Sequence, residues 1–271
     1  NSYKKPNRLL RFLGASTAAS ALIFTTNSAL TELQDRRPPT VQSIDTNPGS
    51  KDRIVTFAGF NGFAEFEDSS GNGRNVNDLA CTVDAFDDRN VYNVNHNGEF
   101  NLDKIADIIS EKYEADGTES LTFHGVSAGG LMALKVGSKL ADRNVEVAEI
   151  HLVTPPIELT DVKVADVDRR TLEYINRALG ITGIDAWLEL GMNVGTEFFF
   201  RNNSDSNTKK LRSAFERTLA VPIDVVRGQA KLLIDGAQES DIANLIEKNP
   251  NIKFVLFLPN KDDQDAIVNS V

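Results

Sequence analysis

The sequence is poor in the side chains that bind metals or form disulfides. It has one cysteine, Cys81, and three histidines among 271 residues. A single cysteine excludes a disulfide within the chain and any cysteine-rich metal site. No metal-binding cluster of other residues is visible either. The sequence therefore predicts neither a metal nor a cofactor. Cys81 lies in the segment NVNDLACTVDAF, which predicts a helix, so we interpret it as a small core residue rather than a reactive thiol.

Positive charge is also scarce. The chain has 29 lysines and arginines against 39 aspartates and glutamates, which gives a net charge of -10. This charge argues against nucleic acid as the main partner, because the phosphate backbone would be repelled. The composition, 41% hydrophobic and 25% charged, is typical of a globular protein. The net charge does not exclude small anionic substrates, because local charge can differ from the total.

The N-terminal region departs from this acidic composition. It carries basic residues and no acidic residue before Glu32, and an apolar stretch, FLGASTAASALIF, follows the basic positions Lys4, Lys5, Arg8 and Arg11. This pattern predicts a signal peptide or membrane anchor over residues 1–31, and hence an exported protein that is membrane-anchored or secreted. Cleavage after Ala29 is a weak candidate, and a loose amphipathic helix is the alternative. Residues 32–52 are polar and contain prolines, which predicts a linker.

Two kinds of apolar segment alternate between residues 53 and 156. Short runs rich in β-forming residues, such as RIVTFAG, SLTFHG and VAEIHLVTP, predict strands, and NLDKIADIISEKYEA is typical of an amphipathic helix. Strands that alternate with helices imply a parallel sheet covered on both faces. The predicted fold class is α/β, a mainly parallel sheet flanked by helices, and residues 53–156 form the first part of its core.

This alternation stops at residue 157. Residues 157–248 contain mainly helical patterns, including RRTLEYINRALG, TKKLRSAFERTLA and SDIANLIEK, without a convincing strand between them. A helical insertion into an α/β sheet commonly forms a lid over the site, so we predict a helical lid. Three aromatic residues at 198–200 are candidates for its inner face or for membrane contact, with core packing the preferred role. The sheet resumes at NIKFVLFLP, and residues 249–271 are predicted to continue the core.

A serine between two glycines is the strongest functional signal. Gly125, Ser127 and Gly129 form a G-x-S-x-G pattern in FHGVSAGGLMAL. The pattern follows a predicted strand and opens a predicted helix, which is the context that this motif needs. A sharp turn of this kind leaves no space for side chains on either side of the serine, and glycine supplies that freedom. The serine hydroxyl would then project at a helix N-terminus, where developing negative charge is favoured.

With this elbow and the predicted strand order, the chain resembles the α/β-hydrolase family over roughly residues 53–271. The segment FAGFNG at 57–62 is similar to the family's oxyanion loop. The resemblance implies that the N–H of Phe60 or Asn61 pairs with that of Ala128 to bind an oxyanion. It also implies that Gly59 lines the pocket, although Gly59 and Gly62 forming a simple turn is the alternative.

The resemblance implies a catalytic acid after the strand FVLFLP. Three aspartates follow that strand, Asp262, Asp263 and Asp265, at the edge where an α/β sheet places its site. Asp265 is the first choice because the D-A-I-V spacing is similar to the family's acid followed by apolar residues. Asp262 is the second choice because it lies closer to the strand, and a surface acidic loop is the alternative for all three.

The family order of serine, acid and histidine lacks its last member in this chain. The histidines are His96, His124 and His151, and none of them follows the acid. His96 ends a predicted strand and is expected to line the pocket, whereas His124 and His151 are expected to pack within strands. We expect that the histidine lies beyond Val271, in a C-terminally truncated chain, and a degenerate triad is the alternative.

The predicted function is a serine hydrolase that cleaves a carboxylic ester or related acyl bond through an acyl-enzyme on Ser127. The substrate would be a small ester or lipid-like molecule. A non-catalytic α/β-hydrolase-like binding protein of the cell envelope is the alternative, and an acyltransferase, thioesterase or peptidase on the same scaffold stays open. A nucleotide-binding site is excluded because GVSAGG lacks the Lys-Ser/Thr of a phosphate-binding loop.

Overall fold

The computed structural model describes much of the chain and divides it into two compact units. The described residues are 8–34, 36–44, 47, 49–59, 65–67, 73–75, 90–96, 98–153, 173, 177–178, 180, 183–199 and 206–257. The α/β unit comprises Arg36–Asn176 and Asp224–Val271, and the helical unit comprises Asn1–Asp35 and Arg177–Ile223.

A six-stranded sheet forms the centre of the α/β unit. Its strands are β1 (Thr40–Ile44), β2 (Asp52–Phe57), β5 (Asn90–Asn95), β6 (Ser120–Val126), β7 (Val147–Val153) and β8 (Lys253–Phe257), and the short strands β3 (Glu65–Glu67) and β4 (Gly73–Asn75) form a separate antiparallel pair. The order across the sheet is β1-β5-β2-β6-β7-β8. Every neighbouring pair is parallel except β1 with β5. This mainly parallel sheet confirms the predicted α/β fold class.

The described helices lie in segments with helical spacing, apart from α1, which falls in the segment predicted as a signal peptide or membrane anchor. They are α1 (Arg8–Leu33), α2 (Leu102–Ala115), α3 (Ala128–Ala141), α4 (Asp185–Phe199), α5 (Asn207–Ala220), α6 (Ile223–Asp235) and α7 (Glu239–Lys248). Helix α2 begins after Asn101, whose side chain accepts a hydrogen bond from the N–H of Lys104. This N-cap satisfies one of the free N–H groups of the first turn.

The core of the α/β unit lies between the sheet and helices α2 and α3. Phe57 of β2 and Phe123 of β6 are fully buried there, with ring centroids 5.2 Å apart. Helix α3 is buried along nearly its whole length because it contacts β6 and β7 as well as α2 and α7. The near-continuous apolar strands are those that a parallel sheet covered on both faces requires. Helix α3 begins at Ala128, two residues after β6 ends at Val126.

The interval predicted as a linker contains a strand, so that part of the prediction was wrong. Residues 40–44 form β1 and pair with β5 from Thr40↔Asn95 to Ile44↔Val91. Val41 of β1 joins the buried core. The segment TVQSI alternates apolar and polar residues, as a strand at the edge of a sheet does, but it is short and follows two prolines.

The described helices between residues 183 and 248 divide between the two units. Helices α4 and α5 belong to the helical unit, whereas α6 and α7 belong to the α/β unit, where Leu232, Leu233 and Leu245 join its core. The lid role assigned to residues 157–248 stays a prediction. Among the described helices, none combines the length and apolar character needed to cross a bilayer.

Candidate active site

Ser127 occupies a strained turn between β6 and α3. Its backbone angles are φ 53° and ψ −127°, and among the described residues only Asn144 is another non-glycine with positive φ. A side chain in such a sparsely populated conformation costs of the order of 1–3 kcal/mol, and the surrounding structure must hold it there. The Ser127 N–H donates to the carbonyl of Val153 on β7 at 2.8 Å. This bond ties the turn to the neighbouring strand.

The Ser127 hydroxyl does not serve as a helix cap. Ser127 stands at the N-cap position of α3, where a serine side chain usually accepts a hydrogen bond from the first turn, but it makes no such bond. The residue is partly exposed. Its hydroxyl is therefore not engaged in the local interaction that would otherwise explain a serine at this position.

The two glycines of the motif allow close backbone contacts that any side chain would prevent. A Cβ on Gly125 would lie 2.5 Å from the carbonyl oxygen of Gly129, in the first turn of α3. A Cβ on Gly129 would lie 2.2 Å from the carbonyl oxygen of Phe57, at the end of β2. The glycines thus let the helix pack against both its own strand and the neighbouring one.

The end of β2 lies directly beside Ser127. A Cβ on Gly59 would be 3.2 Å from the Ser127 Cβ and 3.8 Å from its Oγ. Gly59, predicted to line the pocket, is therefore a neighbour of the serine side chain. Phe60 and Asn61, the predicted oxyanion donors on this loop, lie outside the described residues.

Ala128, the other predicted oxyanion donor, is the first residue of α3 and is buried. The first N–H groups of a helix have no acceptor within the helix. The helix dipole adds partial positive charge at the same end. The N–H of Ala128 therefore lies where a negative charge beside Ser127 would be stabilised.

The three aspartates proposed as the acid, Asp262, Asp263 and Asp265, lie outside the described residues. The strand before them, β8, is parallel to β7 with Val153 opposite Phe257. Since Ser127 bonds to Val153, the carboxyl end of β8 lies at the same edge of the sheet as the elbow. Their part in a site stays a prediction.

Two histidines stand side by side on one face of the sheet. His124 of β6 is opposite His151 of β7, and their rings meet edge to face with centroids 5.8 Å apart. The Nε2 of His151 lies 3.3 Å from Oε1 of Glu149. Burial, with a smaller contribution from His151, lowers the pKa of His124 to about 4, so His124 is neutral at physiological pH.

His96, predicted to line the pocket, is fully buried directly after β5. Its Nε2 is 2.9 Å from Nε2 of Gln229 on α6, and its ring meets Phe100 edge to face. Burial lowers its pKa to about 4, which keeps the imidazole neutral. His96 thus lies at the carboxyl edge of the sheet but is enclosed by α6 and Phe100.

The partner of His96 could not be found from sequence. Gln229 lies 133 residues further along the chain, within IDVVRGQAKLLID, a segment predicted to belong to the lid. One local signal for this contact exists in Gly228, where a Cβ would lie 2.3 Å from the Phe100 ring. A glycine inside a helical pattern indicates a close approach of this kind, although it does not name the partner.

A cleft of about 380 Å³ lies near the amino ends of β7 and β8. Its polar lining includes Asn144, Glu146 and Lys248. These residues lie next to the beginning of β7 and the end of α7, which precedes β8. The cleft is therefore separate from the elbow, which lies at the carboxyl ends of the strands.

Comparisons with known proteins gave similarity in solved structures alone. No protein-family model matches the chain, and no curated protein matches it. A carboxylesterase of the ammonia-oxidizing thaumarchaeon Nitrososphaera gargenis is 10% identical with a TM-score of 0.46, covering 81% of this chain and 85% of its own. A bromoperoxidase from Bacillus anthracis is 12% identical with a TM-score of 0.46, and the match covers 81% of this chain and 86% of that one.

A third similar structure is MGS-M2, an alpha/beta hydrolase enzyme from a Medee basin deep-sea metagenome library. It is 11% identical with a TM-score of 0.45, and the match covers 81% of this chain and 85% of that one. Identities and TM-scores this low do not assign an activity. A shared fold hosts many reactions, so the chemistry has to be argued from the site itself.

Proposed function

We propose that the chain is a serine hydrolase of the α/β-hydrolase type, with Ser127 as the nucleophile that attacks a carboxylic ester or related acyl bond. The observation that carries the proposal is the strained backbone of Ser127 at the junction of β6 and α3. Strain of this kind persists where the surrounding structure enforces it, and such residues cluster at functional sites. Nothing would offset the cost of this strained backbone conformation in a serine that only ended a strand.

The surroundings of Ser127 suit the tetrahedral intermediate of acyl transfer. Attack by Oγ on an acyl carbon forms a C–O bond and moves an electron pair onto the acyl oxygen. The N–H of Ala128 and an N–H from Phe60 or Asn61 would stabilise that negative charge. Each oxyanion donor of this type lowers the barrier by about 3 kcal/mol. The contact between Gly59 and Ser127 supports the pairing of the loop with the elbow.

The proton relay is assigned only in part. Asp265, with Asp262 and Asp263 as alternatives, is proposed as the acid that orients a histidine base. His96, His124 and His151 are all buried, so we assign none of them as that base. A serine without a general base keeps only the catalysis that comes from binding and the oxyanion site.

A non-catalytic binding protein on the same scaffold is the second candidate. The observation that favours it is the enclosure of all three histidines, since a base must reach the proton of Oγ within hydrogen-bond distance. In this case the site at Ser127 would hold an ester or lipid-like ligand without turnover.

A fluorophosphonate probe separates these two candidates because it reacts covalently with an activated serine. Where the histidine base that the proton relay requires is present, we expect labelling at Ser127 and hydrolysis of a short-chain activated ester, both lost in Ser127→Ala. Ser138→Ala is the matched control, because Ser138 is a buried serine on the same helix, α3. An unlabelled wild-type chain that still binds ester analogues would favour the binding protein. Labelling that survives in Ser127→Ala would exclude Ser127 as the nucleophile.

We also propose that the N-terminal segment directs export and retains the protein at a membrane. Its basic flank and uncharged stretch support this role. Asn27, in the last turns of α1, binds the start of α4 through its side chain, which favours retention of the segment over cleavage after Ala29. Membrane fractionation, with the mass of the N-terminal peptide, tests both points. A soluble cytoplasmic protein with an intact N-terminus would contradict the proposal.

A further inference from the structure

The helical unit contains a buried carboxyl group that the proposed reaction does not use. Glu189 of α4 is 1% exposed. Its Oε2 accepts a hydrogen bond of 2.7 Å from Nε2 of Gln34, the residue that follows α1. An ionised carboxylate enclosed in this way, with no cation paired to it in the described part of the chain, would be strongly destabilising. The protonation state of Glu189 therefore matters for the attachment of α1.

The amide of Gln34 has a fixed orientation. Its Nε2 also donates to the backbone carbonyl of Thr218 on α5 at 2.9 Å. A carbonyl can only accept, so the nitrogen end of the amide must face it. The Oε1 of Gln34 is therefore an acceptor at the other end, where it is buried without a hydrogen-bond partner in the described part of the chain.

Glu189 shows the complementary deficit. Its Oε1 is also buried without a partner among the described residues. A carboxylate oxygen cannot bond to an amide oxygen, since both only accept, but a protonated carboxyl donates through its O–H. A single proton on Oε1 of Glu189 would supply the donor that Oε1 of Gln34 lacks. The acid and the amide would then be joined by two hydrogen bonds in a ring.

The charged groups around this pair do not favour a carboxylate. On α4 the nearest acidic residue in sequence is Asp185, one turn earlier, and its charge disfavours ionisation of Glu189. On α5, Lys210 is buried and lies over the ring of Phe198, and Arg217 directly precedes Thr218. Neither cation contributes to the pKa of Glu189. The ionisable residues near Gln34 in sequence are Glu32 on α1, which is exposed, and Asp35, Arg36 and Arg37 after it.

The nearby polar side chains are also engaged elsewhere. The hydroxyl of Thr218 donates to the carbonyl of Ala214 and accepts from Nδ2 of Asn193. These bonds leave the proton as the simplest donor for the Gln34 oxygen. Burial, opposed by the Gln34 hydrogen bond and reinforced by Asp185, raises the pKa of Glu189 to about 8, in the same direction as the geometry.

We propose that Glu189 is protonated in the folded helical unit and forms with Gln34 a cyclic acid–amide pair, which fastens α1 to α4 and α5 and weakens as the pH rises. Loss of the proton would set an unpaired carboxylate against an amide oxygen. The pair is a pH-sensitive latch on the N-terminal helix. It does not depend on whether Ser127 is a nucleophile.

The expected pH dependence has a definite sign. The pKa of this carboxyl rises from its ordinary 4.5 to about 8 on folding, so the latch is strongest below pH 4.5 and weakens up to about pH 8. The opening equilibrium of α1 should rise about tenfold per pH unit in that window. Hydrogen exchange of the α1 amides in the full chain, corrected for intrinsic rates, should show an increase of about fiftyfold from pH 6 to pH 8, and only about a twofold further increase above it.

Glu189→Gln separates the proposal from a purely structural role. A glutamine would keep both ring bonds without a titrating group, so α1 should open less than in wild type at pH 8 and show no pH dependence. An ionised Glu189 that merely accepts a bond predicts the opposite change, more opening in the variant. Glu32→Gln, an exposed carboxyl on the same helix, is the matched control and should behave as wild type.

Infrared spectroscopy keeps the test decisive if Glu189→Gln does not fold. Wild type at pH 6 should show the carbonyl band of a buried protonated carboxyl. Gln34→Met should raise the opening of α1 at pH 6 toward the wild-type level at pH 8. Absence of the protonated carboxyl band, or pH-independent exchange in wild type, would overturn the proposal.

Discussion

The two units of the chain bury different kinds of side chain. In the α/β unit, large apolar side chains such as Phe57, Phe123 and Ile105 are fully buried. In the described part of the helical unit, five apolar residues are buried and none of them is aromatic, whereas the buried polar residues are Asn27, Gln34, Glu189, Asn193, Lys210 and Thr218. Apolar burial depends on area and not on direction, but buried polar groups require specific partners.

This difference teaches where each unit is sensitive. The stability of the α/β unit should fall most when a buried side chain is made smaller, or when atoms are added where two backbone segments lie in contact. The stability of the helical unit should fall most when the hydrogen bonds of polar side chains at the ends of its helices are broken. The single tryptophan of the chain, Trp187, lies in α4, so its fluorescence reports on the helical unit while far-ultraviolet circular dichroism reports on the whole chain.

The largest expected effect is on the apolar core. Phe123→Ala should lower the free energy of unfolding of the α/β unit by about 3–5 kcal/mol, because it removes a fully buried ring and leaves a cavity. Denaturant titration followed by circular dichroism measures the loss. The transition followed by Trp187 fluorescence should shift less. Equal shifts by both probes would mean that the units unfold together and would remove the contrast.

The next effect concerns the elbow. Gly129→Ala should cost about 3 kcal/mol, at the upper end for an overpacked site, because the new Cβ would meet the Phe57 carbonyl oxygen at 2.2 Å and rigid backbone cannot yield. Displacement of α3 should also abolish fluorophosphonate labelling of Ser127. Full stability together with full labelling would contradict the packing argument.

A smaller loss is expected at the start of α4. The Oδ1 of Asn27 accepts from the N–H of Ala186 at 3.0 Å, so a side chain of α1 caps another helix. Asn27→Ala should destabilise the helical unit by about 1–2 kcal/mol, measured by Trp187 fluorescence. Ser28→Ala is the control, because Ser28 is exposed and its hydroxyl donates to the Phe24 carbonyl of the same helix. Equal losses in both variants would argue against the cap.

The smallest effect is a gain, and it contrasts with Gly129. Gly191 lies inside α4, and a Cβ there would meet no atom of the described residues within 4 Å. Gly191→Ala should stabilise the helical unit by about 0.5–1 kcal/mol, because alanine loses less backbone entropy in a helix. Thermal unfolding followed by Trp187 fluorescence measures the shift. A loss of stability would indicate that this face of α4 is packed against another surface.

Much of the α/β unit was predictable because its pattern is local. Strands such as RIVTF and SLTFHGV are apolar runs, and the glycines around Ser127 mark the turn by their spacing. The edge strand β1 was missed because TVQSI is short and gains its place only by pairing with β5. The split of the helices between the two units was missed because helical spacing shows a buried face but not what covers it.

The sequence by itself determined the α/β fold class and the position of Ser127 between a strand and a helix, because residue spacing and glycine placement encode both. Only the tertiary structure decided the strain at Ser127, the contact of Gly59 with its side chain and the enclosure of His96 by Gln229. It also brought Glu189 to Gln34, 155 residues apart. Such contacts depend on the distance and direction between atoms far apart in the chain, and no local pattern specifies them.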